Sequence, residues 1–340
     1  AYNNLGAALS DKGDLDAAID SYKQALKIQP EKTEMFVNLE TIQIQIFEKY
    51  NAEDDLNFWN SKSLKKNLLE NAKHQVNLAI KYFVQGENKI SINHLLRYDE
   101  IVNLGGTKKM LEENKIFCEA YSRFINHLVE VSSNKVSALT KNKLYHVGES
   151  HCLSYAHHYL KIENQTFYVT PKITFGAKAY HFSKPEENSY KAITRLNLKA
   201  MPVNSPVLIS IGEIDCRARG GLIEASEKLD TQLDDLIQKT VEGYVDWFLD
   251  NNSVNKHRYK FFNVPAPVYQ NSYTPWVNQQ VAYVVCCFNE ALKVTLKKYG
   301  SALIDVYEPT KEERGFSNNY YHCDEAHLDR RILGIIQEQL

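Results

Sequence analysis

Three short runs in the chain carry side chains that could make and break bonds. The first is Gly148-Glu149-Ser150-His151, directly after the apolar run Leu144-Tyr145-His146-Val147. A serine on a tight turn out of a strand holds its hydroxyl at the edge of a sheet. If a helix follows, its N–H groups and dipole suit an oxyanion beside that hydroxyl. The second run is Asp324-Glu325-Ala326-His327-Leu328. On one helical turn or a tight loop, residues three apart face the same way, so the carboxylate can orient the imidazole. The histidine can then take a serine proton as general base and return it to a leaving group. The aspartate holds the tautomer and stabilises the imidazolium. The third run is Ile211-Gly212-Glu213-Ile214-Asp215-Cys216-Arg217. Each run alone has a plain structural reading: Ser150, for instance, could simply cap a helix.

What makes them more than isolated motifs is where they fall. Leu144–Val147, Val207–Ile211, Tyr259–Val264 and Ala302–Val306 are short β-rich runs, ending at or just before Gly148, Gly212, Pro265 and Tyr307. Helical stretches lie between them, notably 224–249 and 277–298, and a terminal helix is expected over Arg330–Leu340. Strands alternating with helices predict a parallel sheet covered on both faces. In such sheets reactive groups gather at the carboxyl ends of strands, where the first and third runs lie.

In order and spacing the three runs resemble the blocks of SGNH (GDSL-like) hydrolases, over about 200 residues. The resemblance implies an α/β domain over residues 137–340, an SGNH-hydrolase-like parallel sheet with flanking helices. Ser150 would be the nucleophile, with Asp324 and His327 completing a triad. The oxyanion would be held by the backbone N–H groups of Ser150 and of Gly176, in Thr174-Phe175-Gly176-Ala177. Glu213, Asp215 and Arg217 would border the substrate. Val264-Pro265-Ala266-Pro267 and Asn289 also suit the family's layout. Two positions depart from it: Glu149 replaces the usual aspartate, and Ile214 stands where an asparagine donates to the oxyanion. Isoleucine cannot donate, so hydrolysis is expected to be slowed. No metal or organic cofactor is implied. The family includes lipases, carbohydrate esterases and acetyl-transferring enzymes of surface polysaccharides. The chain has no apolar lid segment, which favours an O-acetylated glycan over a lipid and leaves hydrolase and O-acetyltransferase both open.

Other readings compete for the same residues. Ile214 would suit a catalytically weak binding module. Arg217 and Arg219 could clamp a phosphate or sulfate ester, or simply pair with acids such as Glu224. Cys152, Cys216, Cys323, His151 and His322 adjoin the blocks, but their spacings match no standard zinc pattern. Nothing implies a base beside Cys216 that would make it a nucleophile.

The N-terminal part is different in kind. Tyr2, Leu5, Gly6 and Leu9 share one face of a first helix, Lys12-Gly13-Asp14 turns the chain, and Ala18, Tyr22 and Ala25 share a face of a second that ends at Pro30. This resembles a tetratricopeptide repeat, which implies docking of a protein partner. A 34-residue shift carries Tyr2 to Phe36 and Leu5 to Leu39, but Gly6 to Glu40 and Leu9 to Gln43. Residues 1–50 are therefore expected to be a repeat plus a capping helix that turns a polar face to water. One repeat cannot bury its own face, and the chain begins inside a motif, so further repeats are expected upstream.

Residues 51–136 read as an all-α connector. Leu64, Leu68, Leu69, Ala72, Val76 and Ala79 recur at helical spacing, and further helices are expected over 87–104 and 108–132, divided near Gly105-Gly106. The aromatics Trp59, Tyr82 and Phe83 read as core.

The 340 residues carry 40 Lys and Arg against 42 Asp and Glu, a net charge of −2, with both signs interspersed. There is no basic excess for nucleic acid and no apolar run of bilayer length. The start, AYNNLGAALSDKG, lacks the features of a signal peptide. The six cysteines include no CxxC pair. Reduced, mostly buried thiols and a cytoplasmic location are expected.

Overall fold

The computed structural model describes residues 1–29, 32–46, 71–108, 110–131 and 140–340. Leu64, Leu68, Leu69 and Trp59 lie outside the described residues. Two compact units emerge: residues 1–134 with 187–200, and residues 135–186 with 201–340.

In the first unit, helices Tyr2–Asp11 and Leu15–Ile28 form a hairpin, followed by Thr33–Gln45, Ala72–Val84, Asn88–Asn103 and Glu112–Val131. Gly6 faces the Tyr22 ring of the second hairpin helix. A Cβ there would lie 2.8 Å from the Tyr22 ring, so only glycine permits this approach. The expected capping helix behaves otherwise. Thr33–Gln45 buries Val37, Leu39, Glu40, Ile42, Ile44 and Gln45 rather than turning a polar face to water. Its Leu39 and Ile42 share a core with Leu15, Ala18, Ile19, Tyr22 and Leu26. Ala192 and Ile193 of helix Ser189–Ala200 join that same core. This helix lies in sequence among the strands yet belongs with the helical unit, so the α/β unit is not the continuous stretch 137–340 that its motifs imply. Glu40 accepts from Asn77 Nδ2 at 3.1 Å and lies 3.0 Å from His74 Nδ1, so the polar residue that breaks the repeat pattern links two helices.

The second unit is built on six strands: β1 (Lys143–Gly148), β2 (Tyr159–Ile162), β3 (Gln165–Ile173), β4 (Pro206–Ser210), β5 (Arg258–Phe262) and β6 (Ala302–Ile304). Their order is β2-β3-β1-β4-β5-β6, with β2 antiparallel to β3 and every other pair parallel. The parallel part has a doubly wound order whose direction switches between β1 and β4. The register pairs Gly148 with Ile173 on one side and Ser210 on the other. A Cβ on Gly148 would meet the Ser210 carbonyl at 2.4 Å, so the strand must end on glycine there.

The hairpin β2–β3 does not stand out in the sequence. Its turn residues Glu163 and Asn164 both have positive φ, 49° and 65°, as a two-residue hairpin turn requires. Pro171 within β3 disguises the strand. The proline is tolerated because β2 pairs only with Gln165–Tyr168, leaving that side of β3 without a partner strand beyond.

Alternation along the strands sends side chains to two cores. On one side Leu144, Leu208, Phe262 and Val169 pack with Leu328, Ile332 and Ile336 from the C-terminal segment. On the other, Phe261 meets Tyr244 and Phe248, which also contact Phe182. The helix expected over 224–249 is two, Leu222–Leu229 and Leu233–Asp250, broken where Asp230 adopts the left-handed conformation. Helix Pro275–Tyr299 starts with a Thr274 side-chain cap and Pro275, and ends at left-handed Gly300, the sequence asymmetry of a well-defined helix.

Candidate active site

β1 delivers the nucleophile candidate. Directly after Gly148 the chain enters a short 3-10 turn, Ser150–Leu153, whose preceding residue Glu149 caps it by accepting from His151 N at 3.1 Å. Ser150 thus stands at the carboxyl end of β1, beside β4, at the switch point of the sheet.

The partner residues arrive on the segment after β6. It is not a helix: His322 and Leu328 form an isolated bridge, and Cys323 N donates to the His327 carbonyl at 2.9 Å, closing a tight loop. Leu328 anchors this loop in the core with residues of β1 and β5. Inside the loop Asp324 Oδ1 accepts from the backbone N–H groups of Ala326 and His327, at 2.8 and 2.7 Å. Its other oxygen lies 2.7 Å from His327 Nδ1. The three-residue spacing therefore folds the loop and orients the ring together. His327 Nε2 lies 2.7 Å from Ser150 Oγ. Burial alone would raise the Asp324 carboxyl, but the His327 ring and the two N–H groups hold it well below the usual range.

A second set of contacts surrounds the serine. Its hydroxyl donates to Glu149 Oε2 at 2.8 Å, and Glu149 Oε1 lies 2.7 Å from His151 Nδ1. The other ring nitrogen of His151 lies 3.0 Å from the Ala326 carbonyl. Burial opposes charge on both partners, yet each favours the other's charged form. Glu149 is held down at about 2, chiefly by His151, with His327 and the Ser150 hydroxyl also lowering it. His151 is lifted to about 9, chiefly by Glu149. In the sequence Glu149 stands out only as a departure from the block, and His151 only as its neighbour. Their spacing by two residues across a tight turn is the one signal of the pair.

Glu149, His151 and His327 place ligand-type atoms within 4.8 Å of one another. Those atoms are engaged with Ser150, Asp324, Ala326 and one another. The donor set is thus occupied as a proton network. The thiols add nothing to it: Cys152 and Cys216 are buried, burial pushes both thiols well up, and Cys323 Sγ lies 3.4 Å from the His327 carbonyl.

The residues expected to border substrate divide. Asp215 is fully buried and accepts from Ala179 N at 2.7 Å and Tyr180 N at 3.0 Å, capping helix Ala179–Ser183. Both its oxygens are engaged, so it shapes the loop rather than meeting a ligand. Burial pushes its carboxyl up to about 7 against the pull of those two N–H groups. Exposed Arg217 and half-buried Glu213 form a bidentate pair, with contacts of 2.6 to 3.0 Å. Glu224, suggested as an arginine partner, instead holds Lys228 and the Gly220 N–H. Ile214 is half-buried in the turn Ile214–Cys216. Gly176 lies two residues past Thr174, whose N–H donates to the Gly148 carbonyl, and has the left-handed φ of 67°. Asn289 bonds Val264 on both sides, N–H and carbonyl at 2.8 Å each, pinning the chain where it leaves β5.

Among the described residues, no helix is long and apolar enough to cross a membrane. No curated protein matches the chain. One similar solved structure is that of a protein from Streptococcus pneumonia provisionally named a platelet activating factor. It is 13% identical, the likeness covers 64% of this chain and 86% of that one, and the TM-score is 0.39. Residues 1–32 match the family model of the tetratricopeptide repeat.

Proposed function

We propose that the α/β unit is a serine hydrolase of the SGNH kind, acting on carboxylic esters. The observation that carries this reading is the relay Asp324–His327–Ser150, with both links at 2.7 Å. Ser150 Oγ attacks the acyl carbon as its proton, turned from Glu149 Oε2 to His327 Nε2, passes to that ring. Asp324 stabilises the imidazolium, which then protonates the departing alkoxide. Water or an acceptor alcohol, activated by the same ring, releases the acyl group. The backbone N–H groups of Ser150 and Gly176 are the proposed oxyanion donors. An O-acetylated glycan is the preferred substrate class, by hydrolysis or by transfer to a second hydroxyl, while the helical repeat docks a protein partner. Arg217 is already paired with Glu213, which weighs against a phosphate or sulfate ester.

The competing reading is a binding module with little turnover, favoured by Ile214. A fluorophosphonate probe separates the two, since an activated serine is labelled and a module's is not. We expect labelling at Ser150, and turnover of short-chain p-nitrophenyl esters, measured with and without a sugar acceptor. Failure of both would leave the binding module.

A further inference from the structure

The proposed relay needs His327 held against Ser150 by a loop whose own hydrogen bonds are local. What ties that loop to the turn after β1 is His151. Its ring spans from Glu149 Oε1, at 2.7 Å, to the Ala326 carbonyl, at 3.0 Å, one residue before His327. Both of these are acceptors. A neutral imidazole has one N–H and one lone pair, so it can satisfy only one of them. With Glu149 ionised, as the Ser150 hydroxyl and the His151 N–H that donate to it favour, two bonds require both nitrogens to be protonated.

We propose that His151 is a positioning residue of this site: as a buried imidazolium, neutralised by Glu149, it fastens the Asp324–His327 loop over Ser150. Its kinetic consequence rests on the hydrolase reading; its structural one does not.

The groups facing His151 fit this assignment. Glu149 and Glu213 favour its charge, and the His327 ring packs against it at 4.8 Å, tilted by 39°. His146 and His322 also feel its charge, but burial holds them down at about 3 and about 4, so they stay neutral beside it. Glu149 in turn is spared from acting as a rival base. The Ser150 hydroxyl has one proton and two acceptors, Glu149 Oε2 at 2.8 Å and His327 Nε2 at 2.7 Å. A carboxylate already engaged by the His151 ring and N–H competes less for that proton.

The pH dependence has a definite sign. The folded-state value of His151 is raised to about 9. Its contribution to the tether is therefore fully present below its unfolded value, near about 6.5, and is lost as pH rises through about 9.

The test has two arms. The first is the ring state in the wild-type protein, read by imidazole nitrogen NMR and assigned by comparison with His151→Gln. Both nitrogens should be protonated at neutral pH, with release near about pH 9; a neutral ring at neutral pH would overturn the proposal. The second arm is kinetic. Glutamine carries both its N–H donors on one nitrogen, so it cannot span the two acceptors as the opposed ring nitrogens do, and it does not titrate. His151→Gln should lower kcat on p-nitrophenyl acetate about 10- to 100-fold, as a small misplacement of a reacting group does, and leave KM within about threefold. The alkaline decline in wild-type kcat near about pH 9 should vanish with it. Wild-type kcat and an unchanged alkaline limb in a folded variant would also overturn the proposal. A wild-type protein inert to both ester and fluorophosphonate would instead sink the hydrolase reading, and the ring-state arm would still decide the tether.

Discussion

Each unit of the molecule buries a glutamate against a histidine, and the two pairs do different work. In the helical unit Glu40 joins His74 and Asn77, linking helix Thr33–Gln45 to helix Ala72–Val84. In the α/β unit Glu149 joins His151, with the Ser150 hydroxyl as a further donor. The chemistry of the pair is the same. What differs is the third partner. Around Glu40 the donors are an amide and a ring. Around Glu149 the donor is a hydroxyl that also touches a second histidine, itself aligned by Asp324. The strand end thus sets beside this second carboxylate–imidazole pair a hydroxyl that also reaches another imidazole.

This contrast can be broken experimentally, and the largest effect should come from the hydroxyl. Ser150→Ala should cut ester turnover by about 10⁵-fold or more and abolish fluorophosphonate labelling, with the circular dichroism spectrum unchanged. Comparable rates in the two proteins would remove Ser150 from the reaction. Next comes Asp324→Asn. An amide in that place favours the wrong imidazole tautomer, and kcat should drop by about 10³ to 10⁴. Because Asp324 Oδ1 also accepts two loop N–H groups, a crystal structure of the variant should check that His327 still reaches Ser150.

Ile214→Asn tests the opposite direction. One oxyanion donor is worth about 10² to 10³ in rate, but an amide placed without neighbours to hold it delivers less. We expect kcat on a simple ester to rise about tenfold by that reasoning. An unchanged rate in the folded variant would mean another group already supplies the donor.

The smallest catalytic effect should come from the helical pair. Glu40→Gln should leave ester kcat at the wild-type value. By weakening a buried hydrogen-bonded contact it should cost about 1–3 kcal/mol of stability, read as a lower unfolding midpoint. A large loss of kcat without destabilisation would show that the two pairs are coupled.

Much of the α/β unit is legible in the chain. The strands β1, β4, β5 and β6 announce themselves as apolar runs because both sheet faces are covered. The ends of helix Pro275–Tyr299 are marked by Thr274, Pro275 and Gly300. Less is legible where local signals conflict. Pro171 hides β3, because the rule against prolines in strands depends on which strand lies alongside, and that is a tertiary fact. Helix Ser189–Ala200 lies in sequence between β3 and β4, yet its Ala192 and Ile193 are claimed by the repeat core. Asp215 reads as a substrate contact because an acid in a reactive block invites that role; its burial against two helix N–H groups is invisible to spacing alone.

The sequence by itself determined what needs only short-range geometry: the Gly148 turn that presents Ser150, the Asp324–His327 spacing, and the small-residue face of the N-terminal hairpin. Tertiary structure decided everything that joins residues far apart in the chain. Ser150 and His327 are brought within 2.7 Å because Leu328 is drawn into the core with β1, which burial of apolar surface dictates and no local pattern encodes. The contacts among Glu149, His151, Ser150 and His327 were set at the same stage. A side chain's donors and acceptors are assigned by whatever the fold sets beside it in a site where water no longer competes.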